Sequence, residues 1–237
     1  MVKPRVTAEP GHLYVVATPI GNLNDLSDRA RIILGSCDLI VCEDTRTCGR
    51  LLAHLEIDTP DLLSYHERNE KQRAPLIAER IASGKAVALV ADAGTPTLSD
   101  PGFRLVRECR RRGLPVTPIP GASAVLAALC ASGLPTHGFL FVGFLPPKKS
   151  ARQRFFEKYQ DFEYTLVLYE SCHRIQKFME DCVAVLGPNR MVCIAREITK
   201  RHETFHVGTS AAVKEQLKTA CLKGEFVVLI ADKDFQL

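Results

Sequence analysis

AVALVADAGTPTLSDPG, residues 86–102, is the stretch of this chain that decides the fold. Its apolar run 86–91 predicts a buried strand, and the residues that follow are rich in types that fix turns. Asp100 and Pro101 then predict the start of a helix, with Asp100 as the N-cap, which ends at Gly113. A buried strand, a turn-rich loop and a helix form the repeating unit of parallel, helix-covered sheets.

The same alternation continues on both sides of this stretch and predicts an α/β fold with two domains, 1–120 and 121–237. Residues 191–196 and 203–208 flank a short polar turn and predict a hairpin, so the second sheet should be mixed. The other predicted strands are 13–17, 39–42, 62–65, 116–119, 139–142, 165–169 and 225–231. The other predicted helices are 27–35, 46–55, 71–83, 121–132, 151–159, 175–186 and 210–220.

Composition is ordinary for a globular protein of 237 residues, with 46% hydrophobic and 24% charged residues. No apolar run approaches the roughly 20 residues of a membrane helix, so no membrane partner is expected. Lys3 and Arg5 precede no apolar segment, which argues against a secretory signal and predicts a cytoplasmic protein. The nine cysteines form no C-x-x-C pair, and we expect them to be reduced and to pack as small apolar residues.

The net charge of +4 permits a polyanionic partner without requiring one. Its basic residues are clustered at 110–112, at 148–154 and at 200–201. Taken one at a time, each cluster is more simply a solvated face of the protein.

Three predicted strands of the first half end in glycine-containing loops: 18–23 (TPIGNL), 92–102, and 120–124 (PGASA). The carboxyl ends of parallel strands are where open α/β sheets bind ligands. Neither the dinucleotide fingerprint nor the P-loop pattern occurs, which disfavours both kinds of site. Each loop also has a purely structural interpretation: a tight turn, a turn-forming Asp92, or close helix packing.

The segment HETFH, residues 202–206, fits the zinc metallopeptidase motif H-E-x-x-H. That motif needs both histidines on one turn of a helix, where they can share a metal ion. Here the segment alternates like a strand, which would hold His202 and His206 about 13 Å apart. The sequence therefore predicts no metal site, and a zinc metallopeptidase is kept only as a remote alternative.

Six ordered motifs resemble the ribosomal RNA (cytidine-2′-O)-methyltransferases of the tetrapyrrole methylase superfamily. The resemblance spans about residues 11–231. The motifs are LYVVATPIGNLNDL (13–26), EDTR (43–46), ADAGTPTLSDPG (91–102), PIPGASA (118–124), YESCHR (169–174) and AREITK (195–200).

This resemblance implies two α/β domains with S-adenosylmethionine (SAM) in the cleft between them, and a homodimer. It implies 2′-O-methylation of a cytidine ribose in 16S rRNA of the small ribosomal subunit. Family members often carry a small C-terminal extension that this sequence does not show, which leaves RNA affinity and substrate choice open. By position in the motifs, the residues expected to contact SAM are Ile20, Asp92, Thr95, Ser123, Ala124, Tyr169 and Ala195.

Methyl transfer to a ribose hydroxyl needs close alignment of the two reacting atoms and benefits from a base within hydrogen-bond reach. No catalytic triad identifies that base. The candidate bases are Glu43, Asp44, His66, Glu67 and Glu170, and the candidate phosphate ligands are Arg46, Arg174, Arg196 and Lys200. Two further alternatives stay open: a corrin or porphyrin substrate, and a SAM- or RNA-binding protein without catalysis.

Overall fold

The computed structural model describes residues 7–58 and 60–237. Lys3 and Arg5, on which the expectation of no secretory signal rests, lie outside these ranges. The chain divides into two compact units, Met1–Ser123 and Ala124–Leu237. Within the described ranges, no helix combines the length and apolar character needed to cross a membrane.

The N-terminal unit is built on a five-stranded sheet with the order β3-β2-β4-β1-β5, in which every pair of neighbours is parallel. Its strands are β1 (Leu13–Val16), β2 (Leu39–Cys42), β3 (Asp61–Ser64), β4 (Val87–Val90) and β5 (Val116–Ile119). Its helices are α1 (Asp28–Ser36), α2 (Thr45–His54), α3 (Glu70–Ala82) and α4 (Phe103–Arg111).

Helices cover both faces of this sheet because successive strand residues point to opposite sides. Tyr14 and Val16 of β1 pack in a cluster with α1 and α2, whereas Leu13 packs with α3 and α4. The central strands β2 and β4 are buried along their whole length, which explains why they are continuous apolar runs rather than alternating ones.

Two helix starts show how far local sequence rules hold. Ser27 caps α1 as predicted, because its hydroxyl accepts a hydrogen bond from the backbone N–H of Ala30. The prediction that Asp100 caps α4 is wrong, since α4 begins at Phe103 and its N-cap is Gly102 at φ +136°. Only glycine adopts that backbone angle readily, so the loop extends two residues further than an Asp-Pro start suggests.

The C-terminal unit contains a mixed sheet with the order β6-β7-β10-β8-β9. β6 and β7 are parallel, while the other neighbours are antiparallel. The predicted hairpin is confirmed as β8 and β9. The elements are α5 (Ala124–Ala131), β6 (Phe139–Phe144), α6 (Lys149–Lys158), β7 (Thr165–Ser171), α7 (Ile175–Leu186), β8 (Met191–Arg196), β9 (Thr204–Thr209), α8 (Ser210–Thr219) and β10 (Glu225–Ile230).

All nine cysteines are free thiols, and six of them are buried. Burial raises the pKa of Cys182 and of Cys193 to about 12 each, which keeps these thiols protonated and unreactive.

Candidate functional site

The carboxyl end of the N-terminal sheet has the geometry of a ligand-binding crevice. β1 and β4 are neighbours, but the chain leaves β1 towards α1 on one face and leaves β4 towards α4 on the other. Their loops therefore diverge, and the opening between two such loops is where doubly wound sheets bind ligands.

The loops after β1 and β4 are tied to each other by backbone hydrogen bonds. The N–H of Thr18 donates to the carbonyl of Gly94 at 2.9 Å, and the N–H of Gly94 donates back to Thr18 at 3.0 Å. The Thr18 hydroxyl also donates to the carbonyl of Ala91 at 3.1 Å. These bonds hold both loops in one fixed arrangement, as a preorganised binding site requires.

The loop after β5 joins the same assembly. The Thr95 hydroxyl donates to the carbonyl of Ala122 at 3.0 Å. A Cβ on Gly121 would lie 3.0 Å from the Cβ of Ala17, so only glycine allows this loop to pass so close to the end of β1. Similarly, a Cβ on Gly94 would lie 3.3 Å from the side chain of Ile20. The structure thus brings Ile20, Thr95 and the backbone before Ser123 into one region.

Carboxylates concentrate beside these loops. Asp92 is exposed just after β4, and its Oδ1 accepts a hydrogen bond from the N–H of Asp44 at 3.2 Å. Burial, together with the negative charges of Glu43 and Asp92, raises the pKa of Asp100 to about 6. This edge of the sheet therefore carries excess negative charge, which favours a cationic ligand.

The five candidate bases differ in how free their side chains are. Burial, followed by the charges of Asp92 and Glu67, raises the pKa of Glu43, which His66 partly opposes. Asp44 caps α2 and is paired with Arg46, whose hydrogen bonds hold the pKa of Asp44 below its usual range. Glu43 is therefore the more basic of these two carboxylates.

His66 and Glu67 follow β3 at the same edge of the sheet. The Nε2 of His66 lies 3.0 Å from Nδ2 of Asn69, whose Oδ1 accepts from the N–H of His66. Glu67 is exposed, and its charge contributes to the raised pKa of Glu43. Their place near Glu43 leaves both as candidates.

Glu170 lies in the C-terminal unit and is held by its neighbours. It is buried, and its Oε1 accepts from Nε of Arg174 and from the N–H of Ser171, both at 2.7 Å. Because Arg174 and the backbone of Ser171 already occupy Oε1 of this buried carboxylate, a structural role is favoured for Glu170.

A cavity of about 370 Å³ opens next to the tied loops of the N-terminal unit. Thr18, Pro19, Val90 and Asp92 form the side of this cavity that belongs to β1 and β4, and residues of α2 form the opposite side. Its size and its mainly apolar walls with one carboxylate are typical of a small-molecule site.

Two residues expected at the cofactor belong to strands of the C-terminal unit. The ring of Tyr169 lies 5.0 Å from that of Phe141 and 5.6 Å from that of Phe144. Ala195 is completely buried in β8, between Phe205 of β9 and Val227 of β10. Ala124 is the first residue of α5. These assignments, like that of Ser123, remain predictions.

The four candidate phosphate ligands also have different surroundings. Arg46 is highly exposed and bonded to Asp44 alone among the described residues. Arg196 is buried and donates to the carbonyls of Lys223 at 2.6 Å and His202 at 2.9 Å, so it closes the end of the β8–β9 hairpin. Arg174 forms an ion pair with Glu170. Lys200 forms ion pairs with Glu197 and Glu225. Arg46 has the most accessible charge.

The HETFH segment lies in a turn and in β9, as its alternation predicts. Within the described ranges, no three His, Cys, Asp or Glu side chains are arranged to hold a metal ion. The Nδ1 of His206 lies 3.1 Å from Oε1 of Gln216 instead. The helical geometry of a zinc metallopeptidase is therefore missing from this segment.

Comparison with known proteins gives the family of the chain. The family of Tetrapyrrole (Corrin/Porphyrin) Methylases matches residues 12–214. A protein of Haemophilus influenzae named "Ribosomal RNA small subunit methyltransferase I" is 46% identical over 225 residues, covering 94% of this chain and 79% of its own length. Proteins of the same name from Xylella fastidiosa (strain Temecula1) and Escherichia coli O157:H7 are 47% and 46% identical, covering 95% and 93% of this chain and 84% and 77% of their own lengths.

Solved structures agree on the fold. A cobalt precorrin-4 methyltransferase has a TM-score of 0.66 at 16% identity, with 98% of both chains covered. Diphthine synthase has a TM-score of 0.71 at 15% identity, covering 93% of this chain and 90% of its own. A uroporphyrin-III C-methyltransferase from Thermus thermophilus, complexed with S-adenosylhomocysteine, has a TM-score of 0.59 at 19% identity, covering 92% and 96%.

The chain belongs to the tetrapyrrole methylase family. The α/β fold predicted from the alternation of strands and helices is confirmed, and so is the family resemblance of the sequence motifs.

Proposed function

We propose that this chain, as a member of that family, transfers a methyl group from SAM to the 2′-oxygen of a cytidine ribose in 16S rRNA of the small ribosomal subunit. The observation that carries this proposal is the identity of 46–47% with rRNA small subunit methyltransferases over almost the whole chain. The solved tetrapyrrole methyltransferases are only 16–21% identical, so they support the fold and not a tetrapyrrole substrate. A homodimer in the cytoplasm, at the ribosome, is part of the same proposal.

The tied loops of the N-terminal unit fit SAM by their chemistry. SAM supplies a methyl group that is activated by a positively charged sulfur. Asp92 at the end of β4 and the carboxylates beside it supply negative charge that attracts such a cation. Gly94 and Gly121 have no side chain where the three loops pass close to each other, which lets these loops meet in one small region. Ile20, Asp92, Thr95, Ser123, Ala124, Tyr169 and Ala195 remain the proposed contacts.

Glu43 is the proposed general base. Its raised pKa makes it a stronger proton acceptor than an ordinary glutamate, and it lies beside Asp92 at the end of β2. Proton removal from the ribose hydroxyl as the methyl group is transferred would make the oxygen a better nucleophile. Asp44 and Glu170 are less suited because each is engaged by an arginine. Arg46, three residues after Glu43, is well placed to bind a nearby phosphate.

The test is methyl transfer from labelled SAM by the purified protein. Its substrates are small ribosomal subunits from a strain that lacks the modification, naked 16S rRNA, and a tetrapyrrole, in parallel. We expect label at one cytidine ribose of the RNA. Label in the tetrapyrrole alone would assign the protein to the other branch of the family. SAM binding without any transfer would mean that the protein only binds.

A further inference from the structure

A second cavity, of about 520 Å³, lies in the C-terminal unit where α6 and α7 begin. Its walls carry the cationic side chains of Lys149, Arg152, Arg174 and Lys177, and the imidazole of His173. We call it the α6–α7 pocket. Of the residues that line this pocket, only Arg174 is also a candidate residue of the methyl-transfer site described above.

Two of the four cations are already neutralised by buried carboxylates. Nε of Arg152 donates to Oδ2 of Asp181 at 2.8 Å, and both side chains are at most 4% exposed. Arg174 is paired with Glu170 and also donates from both Nη atoms to the carbonyl of Leu145 at 3.2 Å. These pairs make a rigid floor whose own charge is close to balanced.

Lys149 and Lys177 are different, because both are exposed and have no ion pair or side-chain hydrogen bond to any described residue. Glu180 is the other carboxylate in the wall, so the pocket keeps a positive excess. A lysine that neutralises no charge of its own protein is available for an anion from outside.

The two helices add to this positive excess. The first turns of α6 and α7 contain no acidic residue, and their N-caps, Lys148 and Arg174, make no side-chain capping hydrogen bond. The N-terminus of a helix carries partial positive charge and normally favours acidic residues. Lys149 and Lys177, in the first turns of α6 and α7, are therefore unfavourable in the free protein. They become favourable when an anion binds between the two helix N-termini.

We propose that the α6–α7 pocket binds a backbone phosphate of the RNA substrate, with Lys149 and Lys177 as its charged contacts. This inference rests on the proposed function, since it names where that RNA is held. The exposed Lys148, the N-cap of α6, adds a further positive charge next to the pocket. A positive surface that continues past a single pocket fits a chain of phosphates better than one small anion.

The test compares the double variant Lys149→Ala/Lys177→Ala with wild type and with Lys158→Ala. Lys158 is an exposed lysine at the opposite end of α6, so it controls for loss of charge on the same helix. RNA affinity is measured against salt concentration, SAM affinity by calorimetry, and stability by thermal denaturation. We expect the double variant to bind 16S rRNA at least about tenfold more weakly. The slope of log affinity against log salt should fall by about two.

SAM affinity should stay unchanged, and the melting temperature should not fall, because the removed charges oppose the helix dipoles. If the double variant binds RNA as tightly as Lys158→Ala does, while wild type still methylates RNA, the pocket has no part in RNA binding and the inference is overturned with the proposed function intact. If wild type neither binds nor methylates RNA, the proposed function fails first and the inference fails with it.

Discussion

Gly121→Ala tests the packing that holds the three loops of the candidate site together. The new Cβ would lie 3.0 Å from the Cβ of Ala17 and 3.3 Å from its carbonyl oxygen. Carbon atoms in contact prefer about 3.5–4.0 Å, so the loop after β5 must move away from β1 by about 0.5 Å or more. Ala17 has little room to yield, since it is only 3% exposed and its N–H is bonded to the carbonyl of Ile119.

Overpacking of this kind costs about 1–3 kcal/mol of folding free energy. In a protein of this size that lowers the melting temperature by about 3–10 °C. Because the same movement shifts Ala122 away from the Thr95 hydroxyl, SAM affinity should fall by about tenfold. Thermal denaturation and calorimetric titration with SAM measure the two effects.

Gly35→Ala is the matched control. Gly35 lies in α1, and its Cβ would lie at the ordinary contact distance of 3.7 Å from Ile57. Because alanine favours a helix more than glycine does, this variant should be up to about 1 kcal/mol more stable than wild type and bind SAM equally well. If Gly121→Ala melts and binds SAM as wild type does, the close passage of the loops is not what shapes the site.

Two further variants test the carboxylates at this edge of the sheet. Glu43→Gln should lower kcat by about 100-fold or more, while the SAM dissociation constant stays within about threefold of the wild-type value. The variant should also lose the rise of kcat with pH that ionisation of Glu43 produces. A wild-type pH profile in the variant would exclude Glu43 as the base. Asp100→Asn tests the raised pKa of about 6. Because this value lies above the ordinary 3.8, the stability that Asp100 contributes is complete below about pH 4 and is lost as pH rises through about 6. The variant should therefore gain stability relative to wild type across that range in chemical denaturation, and a difference that is constant with pH would refute the raised pKa.

Periodicity and capping residues were enough to predict most of the fold. α7 lies at the predicted residues 175–186, and β5 at 116–119. α7 is predictable because its buried residues Ile175, Phe178, Met179 and Cys182 recur at helical spacing and Gly187 follows its last turn. The conformation of the loop before α4 is not predictable from the sequence, because Thr97 and Ser99 have φ angles of 76° and 65°. No local rule predicts that residues other than glycine adopt this left-handed conformation here.

The candidate site was predictable by position and not by environment. The carboxyl ends of β1, β4 and β5 had to meet at one edge of a parallel sheet, so convergence of their loops followed from the alternation of elements. The sequence predicts Asp100 as a helix cap, whereas the structure begins α4 later and places Asp100 half-buried near the charges of Glu43 and Asp92. Nothing in the sequence indicates that the guanidinium of Arg196 donates its hydrogen bonds to the backbone carbonyls of Lys223 and His202.

The most direct test of the account is the methylation state of 16S rRNA in cells. A strain that lacks its own enzyme would be complemented with the wild-type chain or with Asp92→Ala, and nucleosides of the purified rRNA would be analysed by mass spectrometry. The account predicts that wild type restores one 2′-O-methylcytidine and that Asp92→Ala restores little or none at equal protein level. Absence of that nucleoside with wild type, or full restoration by Asp92→Ala, would contradict it.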